Sequence, residues 1–474
     1  MKKIYIALGL MASVAFTSCV DLDTMPSNEL ADDGAVTTVN DLQNAVNGVA
    51  YSMIDRSTAP RLSYTSEYGI YADILTNVFQ VGTDYGQSTS LSAYTTTKND
   101  ALPEAAYSSF YRALGTVNKT LSYVPQVSGD ATEIKDLTGQ LYAWRALLHF
   151  DLARMFCHIP SAVSDVTAAD SGLVLSNAVF DADYKGTRTT LKQTYDFIIS
   201  DLTQALSLLS KDVDESALKG EFNYYGALAL RARTYLYMGE YAKALADAQE
   251  VINSGVYALY ERSDYASVWS KEGTSESIFE IRVNDTHNSD RNSIGYYLDS
   301  EGYAECQFNT SSNLYVYLSN SSNNDIRSSL IKDQSDDNVY DSPGYYSAKY
   351  PGRGGSIYVN NFKVFRLSEM YLIAAEASYY VSGGSAAAPF VNSLRQKRIS
   401  GYTDVSTVTL ADILFEYEKE FFTENQIAFA YWRNKQNVTS RTGEVIKYNE
   451  YKSILPIPQT EIDQNSGLKQ NYGY

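Results

Sequence analysis

Apolar residues recur at helical spacing along much of this chain. The clearest case lies between Tyr224 and Ser254. Leu228, Ala232, Tyr235, Leu236 and Gly239 mark one stripe. Beyond Gly239-Glu240, Tyr241, Ala244, Leu245, Ala248, Val251 and Ile252 mark a second, and Asn253-Ser254-Gly255 reads as a helix stop. The pattern predicts two amphipathic helices joined by a tight Met238-Gly239-Glu240 turn, with Ala232, Ala244 and Ala248 small enough for close approach. Leu141, Trp144, Leu148, Leu152 and Met155 predict a helix ending near Ile159-Pro160. Leu191, Tyr195, Ile198, Ile199, Leu202, Leu206 and Leu209 predict another. Leu367, Met370, Tyr371, Ala374, Ala377 and Val381 predict a third, followed by Gly383-Gly384 and a partner helix from Pro389 to Arg398. Leu410 to Asn425 and Leu42 to Met53 are also expected to be helical. The fold class is therefore mostly α: irregular stacked helix pairs with long loop-rich insertions and little β.

The hairpin at 224–254 resembles a tetratricopeptide repeat, whose period is about 34 residues. Two stretches break the periodicity. Val81 to Asp100 is one. Asn284 to Asn361 is the other, rich in Ser, Asn, Asp, Gly and Tyr, with ten tyrosines. Long loops in a helical protein are usually functional or disordered, and abundant aromatics argue against disorder.

The N-terminus carries its own signal. Met1-Lys2-Lys3 is basic, Ile4 to Phe16 is almost wholly apolar, and Thr17-Ser18 are small residues before Cys19. About 13 apolar residues are too few to span a bilayer core of roughly 30 Å, but they suit an export signal. The cysteine after small residues resembles a bacterial lipoprotein cleavage box, with Phe16 where Leu is usual. Residues 1–18 are thus expected to be a signal peptide and Cys19 the lipidated first residue of a body spanning 19–474. Within that body, 19–215 is expected to be an N-terminal helical part and 216–280 the hairpin and linker. Residues 281–361 form a loop-rich insertion, and 362–474 the C-terminal helices and tail. No later stretch reaches 18 consecutive apolar residues, so contact with the membrane is expected through the lipid anchor alone.

Loss of Lys2 and Lys3 with the signal takes the formal charge from −18 to −20. Such a chain repels phosphate backbones, so nucleic acid is not an expected partner. Cys157 and Cys306 could pair, but two distant cysteines do not make a framework. The histidines His149, His158 and His287 form no HExxH motif, and no GxSxG elbow or phosphate loop occurs. Asp333, Ser335, Asp337 and Asp341 faintly resemble a calcium loop, but Asn338 stands for its Gly and Gly344 for its Glu. They read as a solvated acidic turn. Glu416, Glu420 and Glu424 recur on one helical face and also read as a solvated stripe, because same-face neighbours do not bracket a substrate. No cofactor, metal or catalytic residue is implied.

Tyrosine is the positive signal: 41 Tyr against 17 Phe. A flat apolar face with a hydroxyl suits sugar rings, and it equally suits peptides. Trp144 and Trp432 read as scaffold, whereas Trp269 could face the loops.

Three segments point to a family. The C-terminus runs Leu455-Pro456-Ile457-Pro458-Gln459-Thr460-Glu461-Ile462-Asp463, then Asn465, then Leu468 to Tyr474. Phe365-Arg366-Leu367-Ser368-Glu369-Met370-Tyr371 continues through Glu376-Ala377. Ala143-Trp144-Arg145-Ala146 continues through Phe150-Asp151-Leu152 to Phe156. With the hairpin between them, these resemble the SusD/RagB family of Bacteroidetes outer-membrane lipoproteins. Glu416 to Lys435 departs from it, being less basic than in many relatives. Glu369, Glu376 and Arg366 are expected to pair structurally, and Pro456 and Pro458 to hold the tail extended.

The resemblance implies a non-enzymatic, surface-exposed lipoprotein that captures oligosaccharides for a SusC-type TonB-dependent outer-membrane barrel. Oligopeptide binding on the same architecture, a lipoprotein glycoside hydrolase, and a purely structural scaffold stay open as alternatives. By position, it also implies binding residues in two loops. The first offers Asp73, Asn77, Asp84, Tyr85 and Tyr94. The second offers Tyr296, Tyr297, Tyr303, Tyr315 and Tyr317. Ordinary packing is the commoner role of any one tyrosine.

Overall fold

Side-chain caps set where the helices begin. In the computed structural model, which describes residues 35–54, 63–181, 183–213 and 219–474, Thr38 and Asp41 form a capping box at the start of α1 (Val39–Ser52). Cys19 lies outside the described residues. Helix α2 (Ala101–Tyr123) is followed by α3 (Ala131–Phe156), whose Thr132 and Glu133 amides donate to Asp130. Thr190 and Gln193 box the start of α4 (Leu191–Leu208), and Asn223 caps α5 (Tyr224–Met238). Gly239 then adopts φ 76°, and the Gly239 and Glu240 amides donate back to Leu236 and Tyr235. This Schellman ending needs a left-handed residue, which glycine supplies without strain. Helix α6 (Tyr241–Asn253) folds back on α5 as the sequence predicts.

The series closes with α7 (Leu367–Ser382), α8 (Gly384–Arg398) and α9 (Leu410–Phe421). From α2 to α8 each helix packs on the next, including α6 on α7 across the intervening loops. The fold is the irregular helical-hairpin scaffold expected. Among the described residues, no helix is long and apolar enough to cross a membrane.

The boundaries differ from expectation in three places. Helix α2 lies in a region the sequence reading left unassigned, although Ala106, Phe110, Ala113, Leu114 and Val117 are buried at helical spacing. Helix α8 starts at Gly384 rather than Pro389. Pro389 is exposed, so the Ser385 carbonyl it cannot serve faces water. Helix α9 stops at Phe421 rather than near Asn425, because Thr423 and Asn425 take φ 57° and 61°.

Strands are few and paired in twos. They are β1 (Phe79–Gln80), β2 (Ser277–Ile281), β3 (Gln307–Phe308), β4 (Ile331–Gln334), β5 (Gly344–Ser347), β6 (Phe362–Arg366), β7 (Val438–Thr439) and β8 (Val445–Ile446). All four pairs are antiparallel: β1 with β3, β2 with β6, β4 with β5, and β7 with β8. The β2–β6 pair is wholly buried and brings the ends of the loop-rich insertion together. Trp144 packs edge-on against Phe222 and Phe279, each 5.5 Å away, and Trp432 is likewise buried.

The acidic face of α9 is not solvated. Glu416, Glu420 and Glu424 are buried. Glu420 meets Arg366 at 3.0 Å and Arg398 at 2.9 Å, and it also touches Arg327. Arg366 reaches Glu276 at 2.7 Å and Glu424 at 2.8 Å. Lys349, Lys419, Arg395 and Asp325 complete a continuous buried network of six cations and five carboxylates. Isolated charges cannot be buried at tolerable cost, so the stripe on α9 is legible only with its partners in place. Trp269 packs over this network, with Lys349 Nζ 4.8 Å from its ring, rather than facing the loops. Glu369 and Glu376 pair with Arg233 and Arg433 on neighbouring elements, as structural groups.

Glu418, beside the network, accepts only from the Tyr431 hydroxyl at 2.6 Å, and burial pushes its carboxyl up to about 7. A carboxyl raised on folding stabilises least where it must ionise, so its contribution falls as pH rises from the usual 4.5 to about 7. Glu418→Gln, which mimics the neutral acid, is expected to match the parent near pH 4 and exceed it by about 2–3 kcal/mol near pH 8. Urea unfolding at both pH values checks this; a difference independent of pH would reject it.

Candidate ligand-binding surface

The β1–β3 pair brings the two irregular loops into contact. Phe79 lies opposite Phe308 and Gln80 opposite Gln307, and the Gly82 amide donates to Ala304 O at 2.9 Å. The loop after β1 is then fastened along residues 303–307. The Gln87 amide donates to Glu305 Oε1, and the Thr83 amide donates to Ser342 Oγ. Asp84 is exposed, and its Oδ1 accepts from the Gly86 amide and the Thr89 hydroxyl. The Thr89 and Gly86 bonds hold its carboxyl below the ordinary value. Asp84 therefore shapes the loop that presents Tyr85.

Tyr85 is 47% exposed and its ring centroid lies 6.5 Å from that of Tyr303. Tyr303 meets Tyr296 edge-on at 5.0 Å, and Tyr296 meets Tyr358 at 5.8 Å. Tyr296, Tyr303 and Tyr358 are half-buried. The Tyr303 amide donates to Tyr296 O, and a Cβ on Gly302 would collide with that oxygen. The tight turn, and with it the edge-to-face pair, thus requires glycine at 302. Two sequence-distant loops and a third segment give one patch of four tyrosines, with edges and faces set at angles. Tyr358 was not singled out in the sequence; its membership in the tyrosine-rich 284–361 stretch was the available signal.

The other candidates sit elsewhere. Tyr315 is half-buried, with its ring 5.2 Å from Tyr345 and 6.1 Å from Phe308, and forms a second, smaller aromatic face. Tyr317 packs edge-on against Phe415 under Lys419, where burial pushes its hydroxyl up to about 12. Asn77 is exposed, and its carbonyl accepts from Asn309. Three candidates belong to the core and are withdrawn. Tyr297 is fully buried under Tyr303. Tyr94 is buried, and its hydroxyl donates to Leu75 O. Asp73 is 0% exposed and accepts from the Asn425, Gln426 and Ile427 amides at 2.8, 3.2 and 3.0 Å. It caps the short helix Ile427–Arg433 from a distance, and burial pushes its carboxyl up to about 7 against those bonds. The Asp333–Asp341 turn joins β4 to β5 at the surface, with Asp333 occupied by Ser335. Cys157 and Cys306 are both buried and free.

Two family models match the chain. One, a SusD-like model described as starch-binding and associating with the outer membrane, covers residues 22–236. The other, the SusD family itself, covers residues 257–474. The chain belongs to the SusD/RagB family. It is similar to SusD-like protein P2 of Formosa agariphila, 25% identical over an alignment of 522 positions that takes in 99% of each chain. It is similar also to starch-binding protein SusD of Bacteroides thetaiotaomicron, 33% identical over 123 residues, which is 23% of this chain and 21% of that protein. The crystal structure of a SusD superfamily protein from Bacteroides thetaiotaomicron superposes with a TM-score of 0.82 at 26% identity, covering 92% of this chain and 100% of that one.

In this SusD/RagB member the C-terminal signature is a seal. The Leu455 amide donates to Met155 O, and Asn471 Nδ2 donates to Phe156 O and Leu455 O. Arg188 donates to Asn471 Oδ1 at 2.7 Å. The segment around Pro456 and Pro458 is extended, as proline requires, and buries Leu455 and Ile457 at the end of α3.

Proposed function

We propose that this protein is a lipid-anchored, surface-exposed binding protein that captures oligosaccharides on the Tyr85–Tyr296–Tyr303–Tyr358 patch. In this reading it passes them to a SusC-type TonB-dependent outer-membrane barrel. The observation that carries the ligand assignment is the patch itself. It presents apolar ring faces and hydroxyls at the surface, on loops fixed by a strand pair rather than by the ligand. Sugar rings have C–H faces to stack and hydroxyls to pair, so they match both features. Family membership, and the starch-binding description attached to one matching model, point the same way. The reading needs no covalent chemistry. Cys19 carries the anchor, leaving the helical body free to move over the barrel.

Calorimetry of the full chain in detergent, against a panel of glucan oligosaccharides and oligopeptides, tests it. Tyr85→Ala and Tyr303→Ala are expected to weaken oligosaccharide binding at least about tenfold each, the loss of one binding hot spot, with unfolding nearly unchanged for exposed Tyr85. Binding of peptides alone would reject the glycan assignment. Oligosaccharide affinity unchanged in both variants would move the site elsewhere.

A further inference from the structure

The loop that carries Tyr85 is tied down on both sides of the ring. Ahead of it, the Gly82 and Thr83 amides donate to Ala304 O and Ser342 Oγ. Beyond it, the Gln87 amide donates to Glu305 Oε1 at 3.2 Å. Asp84, between these points, serves the loop itself through the Gly86 amide and the Thr89 hydroxyl. Glu305 stands two residues from Tyr303, in a stretch whose own path is fixed. The Tyr303 amide donates to Tyr296 O and the Glu305 amide to Tyr297 O, each at 2.9 Å. One residue therefore joins the segment bearing Tyr296 and Tyr303 to the loop bearing Tyr85.

Glu305 is 2% exposed, and its Oε2 has no hydrogen-bond partner. Burial pushes its carboxyl up to about 7, against the Ser88 amide, Arg441 and the Gln87 amide, while Asp84 adds to the rise. Arg441 itself donates to Thr89 O. A leucine of similar size would cost less to bury, so what the acid contributes is the amide it holds.

We propose that Glu305 is the positioning residue of the ligand patch: by holding the Gln87 amide it keeps Tyr85 set against Tyr303 before the ligand arrives. This rests on the patch being the oligosaccharide site. A loop already in place spares the ligand the cost of ordering it. Glu305 touches no ligand in this scheme and acts through Tyr85.

Hydrogen exchange and calorimetry on the full chain in detergent test this. Without ligand, Glu305→Leu is expected to speed exchange of the 84–89 amides at least about tenfold and to leave those of α3 and α5 unchanged. With the tightest-binding glucan oligosaccharide, it is expected to weaken affinity about fivefold or more. Glu305→Gln, which keeps an acceptor oxygen and resembles the neutral acid, is expected to recover most of that loss. In a Tyr85→Ala background, Glu305→Leu is expected to cost less than about twofold more, because both changes act through one ring. Unchanged loop exchange, parent-like affinity in Glu305→Leu, no recovery with glutamine, or an equal further loss in the Tyr85→Ala background would overturn the positioning role. Faster loop exchange beside parent-like affinity in Tyr85→Ala would strike the patch as the site, and the role with it.

Discussion

Glu420→Gln is expected to destabilise this protein by about 3–5 kcal/mol, among the largest effects of any isosteric change in it. The side chain is fully buried and lies among Arg327, Arg366 and Arg398. Removing its charge leaves those guanidiniums in low dielectric with one carboxylate fewer, and turns two amide hydrogens toward donors. Burial alone would raise the Glu420 carboxyl; Arg398, Arg366 and Arg327 outweigh it and hold the group below the ordinary range. The stabilisation is therefore present above the ordinary carboxylate value and lost as pH falls below it. The urea midpoint at neutral pH is the measurement, and a midpoint equal to that of the parent would refute the network's role. Acid should narrow the gap between parent and variant, because protonation removes the same charge.

Asp73→Ala should be nearly as costly, at about 3–4 kcal/mol. One carboxylate serves three consecutive amides at the start of the short helix Ile427–Arg433, and the alanine gives them no acceptor in a place water does not reach. The neighbouring bond from the Ala72 amide to Asn425 Oδ1 goes with it. The contrast with Tyr85→Ala is diagnostic. The tyrosine change should lower affinity at unchanged stability. The aspartate change should lower the melting midpoint and affect binding only through unfolding. Normal melting with lost binding in Asp73→Ala would restore it as a ligand residue.

These two residues show what the sequence could and could not convey. Helix pairs were legible because their apolar periodicity is local: α5 and α6 meet at the Gly239 turn, and α6 ends at Asn253 where the stop signal begins. Asp73 and the α9 glutamates were misread because their partners lie tens to hundreds of residues away. A carboxylate looks the same in a sequence whether water or a guanidinium faces it. The tyrosine-rich stretch was visible as composition, and Tyr85, Tyr296 and Tyr303 fell within the predicted loops. Which tyrosines reach the surface depends on the β1–β3 register, a pairing of residues 79–80 with 307–308 that no short window contains. Tyr296 and Tyr297 are adjacent in the chain, yet one faces outward and the other is sealed in. Helix α2 is harder to read because its buried face mixes Asn118 and Thr120 with Ala106, Phe110, Ala113, Leu114 and Val117, which weakens the contrast on which periodicity depends.

The β2–β6 clamp has a consequence for changes in chain length. Because the β2–β6 pair sets Ser277 opposite Arg366, the stretch 277–366 begins and ends at nearly one point. The entropy of closing such a loop grows only slowly with its length. Lengthening or shortening this stretch should therefore cost little stability and leave the helical scaffold standing.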